Sequence, residues 1–193
     1  MKKERRYLID GVELRDKENQ ESRTLSGYAA VFDSDSRDMG FIETLDPHCM
    51  DDVIGRSDVV CLYNHTDLPG ILARSVNGDG TLHLSVDSRG LLCEFEAPNT
   101  QLGNDMLESV RRGDIRGMSI AFTVEKDEWT HKGDEYRRRI MKIDRLYDVS
   151  LVVQPAYDAT SIDTRGLDDL KRIEKDSHVP SSSYYERLRS EIF

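Results

Sequence analysis

The sequence of 193 residues predicts a mainly β fold of the α+β class: a closed or nearly closed β-barrel of about seven to nine strands, flanked by helices. Three observations predict it. Short apolar or alternating runs recur along the chain and are separated by turn-formers such as Asn77-Gly78-Asp79-Gly80 and Asp87-Ser88-Arg89-Gly90. Two segments have helical character. The strand-like pattern stops at Pro155, after which the chain becomes charged. The expected division is one domain over residues 1–165 and a charged, mobile tail over 166–193.

The elements follow in order. Residues 5–14 alternate around Tyr7, Ile9, Val12 and Leu14 and read as a strand. Arg23 to Phe32 is a second strand, with Gly27 a bulge or point of close approach, and the two form a hairpin. Asp33-Ser34-Asp35-Ser36-Arg37-Asp38 is a solvated loop; it lacks the central glycine and terminal glutamate of a calcium loop. Phe41 to Leu45 is a short strand. Asp46-Pro47 then opens a helix with apolar side Met50, Val53 and Ile54, ended by Gly55. Asp58 to Asn64 is an apolar strand leading into His65-Thr66-Asp67. Ile71 to Ser75, Thr81 to Val86 and Leu91 to Ala97 are three more strands. Asn99-Thr100 caps a second helix with stripe Leu102, Met106, Leu107 and Val110, closed by Arg111-Arg112-Gly113. The strand through Ser119 follows, then a charged hairpin tip at Trp129 to Gly133, and strands Tyr136 to Ile143 and Leu146 to Val153. A short helix is expected near Leu167 to Lys175.

Composition narrows the function. An apolar share of 37% against a charged share of 33% describes a polar, soluble chain with one core. A net charge of −10 argues against nucleic acid and against an anionic membrane surface as partner. No run of 18 apolar residues exists, so no transmembrane helix is expected, and no signal peptide follows Met1. The expected location is the cytoplasm. Cys49, Cys61 and Cys93 are widely spaced without CxxC pairing, which indicates neither a disulfide framework nor a zinc site. No metal and no cofactor is expected.

The stretch with chemical content is Arg116-Gly117-Met118-Ser119-Ile120-Ala121-Phe122. As a strand it places Ser119, Ala121 and Thr123 on one small, polar face and Met118, Ile120, Phe122 and Val124 on a core face. Ser119 is the candidate nucleophile. His65, at a strand end, is the candidate base. His48, His83, His131 and His178 compete with it in poorer contexts. Asp148, in the otherwise apolar strand Leu146 to Val153, needs a buried partner, and a histidine N–H is one. A salt bridge to Arg145 is the other explanation, and Asp144 is the alternative acid. Spacing alone favours a small core-strand role for Ser119, because the Gly-x-Ser-x-Gly elbow is absent: position 121 is alanine.

Ordered blocks change that balance. Gly27-Tyr28-Ala29-Ala30-Val31-Phe32, Phe41 to Leu45, Asn64-His65-Thr66-Asp67, Gly113 to Phe122, and Val149-Ser150-Leu151-Val152-Val153-Gln154-Pro155-Ala156-Tyr157 together resemble the tailed-phage prohead (capsid maturation) protease family. The resemblance covers about residues 5–165. It implies an assemblin-like fold and a serine endopeptidase packaged inside the prohead. Such an enzyme removes the scaffold segment of the major capsid protein, cleaves itself, self-associates and works in the host cytoplasm. Carried over, the catalytic residues are Ser119, His65 and Asp148. At the third position the family usually has glutamate, one methylene longer. Oxyanion donors would be backbone N–H groups near Ser119 or in Gln154 to Tyr157. The competing expectation is a non-catalytic scaffold or capsid-assembly module on the same fold.

Overall fold

The computed structural model describes residues 3–8, 11–15, 22–133 and 135–153. Among these the strands are β1 (Glu4–Leu8), β2 (Val12–Leu14), β3 (Thr24–Val31), β4 (Ile42–Leu45), β5 (Asp58–Tyr63), β6 (Ala73–Val76), β7 (Asp79–Gly80), β8 (Leu82–Val86), β9 (Gly90–Glu96), β10 (Gly117–Lys132) and β11 (Glu135–Val152). One α-helix, α1 (Gln101–Arg112), lies between β9 and β10. The expected helix near Leu167 and the tail 166–193 lie outside the described residues, as does the boundary at 165.

The fold is β-rich as expected, but it is not a barrel. The strands form two open sheets. One has the order β1-β10-β11-β5-β6-β7, with β4 also on β11; the other has the order β2-β3-β9-β8. Among the described residues the outer strands of each sheet do not pair with one another. The core is closed instead by packing one sheet on the other, with β1 and β10 lying against β3. Leu25, Leu91 and Phe95 meet Met118, Ile120, Phe122, Val149 and Leu151 there, all essentially without solvent contact. At the burial worth of apolar surface, each large side chain contributes about 1.5–3 kcal/mol.

Three local differences explain the departure. The run 5–14 is not one strand: β1 pairs with β10 while β2 pairs with β3, so the chain changes sheet near Gly11. A Cβ at Gly11 would stand 2.6 Å from the Tyr28 carbonyl oxygen, so only glycine allows that crossing. The hairpin expected between 5–14 and 23–32 survives as β2–β3. The two strands expected after residue 135 are a single one, 18 residues long. Its length lets β4 and β5 pair in parallel with successive parts of the same edge, Arg137–Ile140 and Asp148–Leu151.

The helix expected after Asp46-Pro47 is absent. Asp46 does cap the turn, accepting from the His48 N–H at 3.0 Å. The backbone bonds that follow all run from residue i+3 to i: Cys49 to Asp46, Asp51 to His48, Val53 to Met50 and Arg56 to Val53. The Cys49 carbonyl is instead taken by the Ile143 N–H at 2.9 Å, which ties this segment to β11. Cys49, Met50 and Val53 still fill the core. By contrast α1 forms as expected. Thr100 Oγ1 accepts from Gly103 N at 3.2 Å, Met106, Leu107 and Val110 are buried, and Gly113 at φ 79° ends it.

A buried charge network pins β1, β4, β10 and β11 together. Arg138, 8% exposed, donates to Asp127 Oδ2 at 2.7 Å, Glu4 Oε2 at 2.6 Å and Glu43 Oε2 at 3.1 Å. Arg6 donates to both oxygens of Glu43, which is 3% exposed. Nothing local in the sequence signals this network, because its partners lie far apart along the chain.

Candidate active site

Ser119 sits on β10 between two partners. It faces Ser150 across β11 and Tyr7 across β1. As the alternation predicts, Met118, Ile120 and Phe122 turn into the core. Ser119, Ala121, Asp148 and Ser150 share the opposite face, since Ala121 lies opposite Asp148 and Ser119 opposite Ser150. That face is closed too: Ser119 has 0% exposure.

His65 reaches this face from β5. The parallel register Asp148 to Val60 and Leu151 to Tyr63 brings the end of β5 over the acid. The chain then turns back at once: Asn64 and His65 both have positive φ, 50° and 56°, and the Thr66 N–H bonds the Tyr63 carbonyl at 3.2 Å. His65 Nε2 comes to 2.5 Å from Ser119 Oγ, and His65 Nδ1 to 2.5 Å from Asp148 Oδ1.

Asp148 is 1% exposed and carries several partners. Ser150 Oγ donates to Oδ1 at 2.8 Å and lies 3.2 Å from His65 Nδ1. Oδ2 accepts no hydrogen bond of good geometry among the described residues; its partner is the Lys3 ammonium, an ion pair at 3.1 Å. Burial by itself pushes the carboxyl up. The hydrogen bond and charge attraction of His65, the Ser150 hydroxyl and the Lys3 ammonium outweigh it and hold Asp148 below the ordinary carboxylate range. An ionised Asp148 can only accept, so Nδ1 is the donor of the pair. Nε2 is then left with its lone pair toward the Ser119 hydroxyl.

The three residues singled out from the sequence therefore meet in one place. The competing residues do not. Asp144 accepts from Thr123 Oγ1 at 2.9 Å and pairs with Arg56. The cation beside Asp148 is Lys3, not Arg145. His48 is exposed beside Asp51, His83 lies exposed on β8, and His131 stacks on Tyr136. His178 and the Gln154 to Tyr157 loop lie outside the described residues.

The thiols make poor alternative nucleophiles. Burial pushes Cys49 and Cys93 up to about 12 and Cys61 well above its usual value, so little thiolate exists near neutral pH. Among the described residues there is no cluster of three or more side chains suited to a metal ion. No helix among them is long and apolar enough to cross a membrane.

Sequence reasoning missed Ser150 and Lys3. Ser150 was legible in principle, being two residues from Asp148 on the same strand and hence on its face. Nothing local marks Lys3, which arrives through the pairing of β1 with β10.

Among solved structures, the chain matches the structure of the bacteriophage T4 capsid assembly protease, gp21, at a TM-score of 0.44 and 11% identity, covering 79% of this chain and 99% of that one. No curated protein matches the sequence. The model of the caudovirus prohead serine proteases matches residues 10–174, most of the chain, and this protein belongs to that family.

Proposed function

We propose that the chain is the serine endopeptidase of capsid maturation, acting inside the phage prohead on the scaffold segment of the major capsid protein and on itself. Ser119 is the nucleophile, His65 the general base and acid, and Asp148 the group that orients and stabilises the imidazole. The observation that carries the reading is the continuous relay from Asp148 through His65 to Ser119, two contacts of 2.5 Å each, in a member of a serine protease family.

The steps follow from the geometry. His65 Nε2 takes the Ser119 proton as Oγ bonds to the scissile carbonyl carbon, whose π electrons move onto oxygen. Asp148 stabilises the imidazolium formed. Collapse of the tetrahedral species breaks the C–N bond, and His65 returns the proton to the departing amine. A water molecule, deprotonated by His65, then releases the acyl group. Ser119 itself is buried, with its hydroxyl held against the imidazole. An enzyme made in its host's cytoplasm benefits from activity that rises only when assembly concentrates it.

A fluorophosphonate probe tests the assignment. It should label the wild-type chain at Ser119 and fail to label Ser119→Ala, and only the wild type should shorten co-expressed capsid protein. Labelling of Ser119→Ala at the wild-type rate would overturn the nucleophile. A folded wild type that neither labels nor cleaves would point to the non-catalytic assembly module. Mass spectrometry of incubated protein tests self-removal of residues 166–193, which an intact Phe193 terminus would refute.

A further inference from the structure

The turn bearing His65 is unusual. Among the described residues it is the one place where two consecutive non-glycine residues have positive φ, Asn64 at 50° and His65 at 56°. With the Thr66 N–H on the Tyr63 carbonyl and an isolated bridge between those two residues, it is a two-residue turn of the mirror-image type I class. That class favours asparagine at its first central position and glycine at its second. Here the second is histidine, whose side chain makes the left-handed conformation costly. Such a conformation persists only where surrounding contacts over-determine it.

Those contacts come from Asn64. Its backbone N–H donates to the Leu151 carbonyl at 2.9 Å, and its side-chain Oδ1 accepts from the Val153 N–H at 3.2 Å. Both partners lie on or just beyond the end of β11, three and five residues after Asp148. The turn that holds the imidazole is thus bolted to the strand that holds its carboxylate. The side chain of Asn64 is exposed, so this contact contributes to geometry rather than to the core.

We infer that Asn64 is a positioning residue for the reaction proposed above, acting through His65: its tolerance of positive φ and its side-chain oxygen together fix the imidazole between Ser119 and Asp148. The inference rests on that reading of the site, but the clamp itself is measurable without it.

The test uses three full-length variants. Asn64→Asp keeps both the backbone tolerance and an acceptor oxygen. Asn64→Gly keeps the backbone alone. Asn64→Ala keeps neither. Fluorophosphonate labelling of Ser119 should stay within about threefold of wild type in Asn64→Asp, fall about tenfold in Asn64→Gly, and fall about a hundredfold in Asn64→Ala, the loss that a small misplacement of a reacting group produces. Exchange protection of the Val153 amide should be kept in Asn64→Asp and lost in the other two, with melting temperatures close to wild type. Wild-type labelling in Asn64→Ala, or a loss in Asn64→Asp equal to that in Asn64→Ala, would overturn the inference. So would unchanged Val153 protection in Asn64→Gly. Ser119→Ala is the control: if it still labels, the nucleophile assignment fails, whereas the Val153 protection pattern still decides whether Asn64 clamps the turn.

Discussion

Asp148 and His65 share a hydrogen bond of 2.5 Å although 83 residues separate them in sequence. The contact fixes the ring's tautomer, so replacing the carboxylate by an amide reverses it: an amide N–H facing Nδ1 puts the ring proton on Nε2, where it blocks acceptance from Ser119. Asp148→Asn should slow fluorophosphonate labelling by about 10³–10⁴-fold, the loss expected when a serine triad holds the wrong tautomer. Asp144→Asn, which touches only the Thr123 and Arg56 side, should label within about twofold of wild type. The reverse ranking would move the acid to Asp144.

The same carboxylate gives a pH signature. Asp148 titrates below its ordinary value in the folded state, so the folded protein holds it ionised more readily than the unfolded chain does. Its contribution to stability is therefore complete above the unfolded carboxylate value of about 3.9 and is lost as pH falls through the lower folded value. Urea midpoints of wild type and Asp148→Asn should differ at about pH 5 and converge as pH falls below about 4. A gap that widens with acid would mean that burial, not His65, Ser150 and Lys3, decides the ionisation.

How far the site was legible can be seen residue by residue. Ser119, His65 and Asp148 are found from the alternation of β10, a strand end and a charge inside an apolar run. These local signals alone favour a core-strand role for Ser119, and it is the ordered family blocks that tip the balance toward chemistry. The barrel was not legible correctly, because closure depends on which strands pair at the edges, and edge pairing leaves no local pattern. The segment after Asp46 has a cap and an apolar stripe, yet the Ile143 N–H competes for the Cys49 carbonyl and a tighter turn wins. Lys3 and Arg138 act through contacts that only the folded sheet creates.

Arg138 carries the next prediction. It is nearly buried and meets three carboxylates, while Glu43 beside it is buried almost completely. Arg138→Met keeps volume but removes the cation, leaving Glu43 with Arg6 alone. That change should cost about 3 kcal/mol, the scale for breaking one partner out of a buried pair, read as a lower urea midpoint with an unchanged slope. Arg138→Lys should recover less than half of the loss, because an ammonium cannot span Asp127, Glu4 and Glu43 with one planar fork. Full recovery by lysine would show that charge alone, not the fork, holds β1 and β4 on the sheet.

Gly27 tests the second sheet. It lies where β2, β3 and β9 run side by side, opposite Val12 on one flank and Cys93 on the other. The sequence marks it as a bulge or a close approach, and the close approach is what is found: the register shift falls instead between Tyr28 and Ala30. A Cβ at Gly27 would stand 1.7 Å from the Gly11 carbonyl oxygen, a distance that only backbone movement can relieve. Moving that backbone disturbs the place where the chain crosses between sheets, so Gly27→Ala should cost about 2–3 kcal/mol by chemical denaturation. Gly55→Ala is the matched control: its Cβ would meet nothing within 4 Å, and it should be neutral or stabilising by up to about 1 kcal/mol. Equal effects at the two positions would mean that the chain at Gly11 yields easily. The crossing from β1 to β2 would then be a flexible joint rather than a fixed corner of the fold.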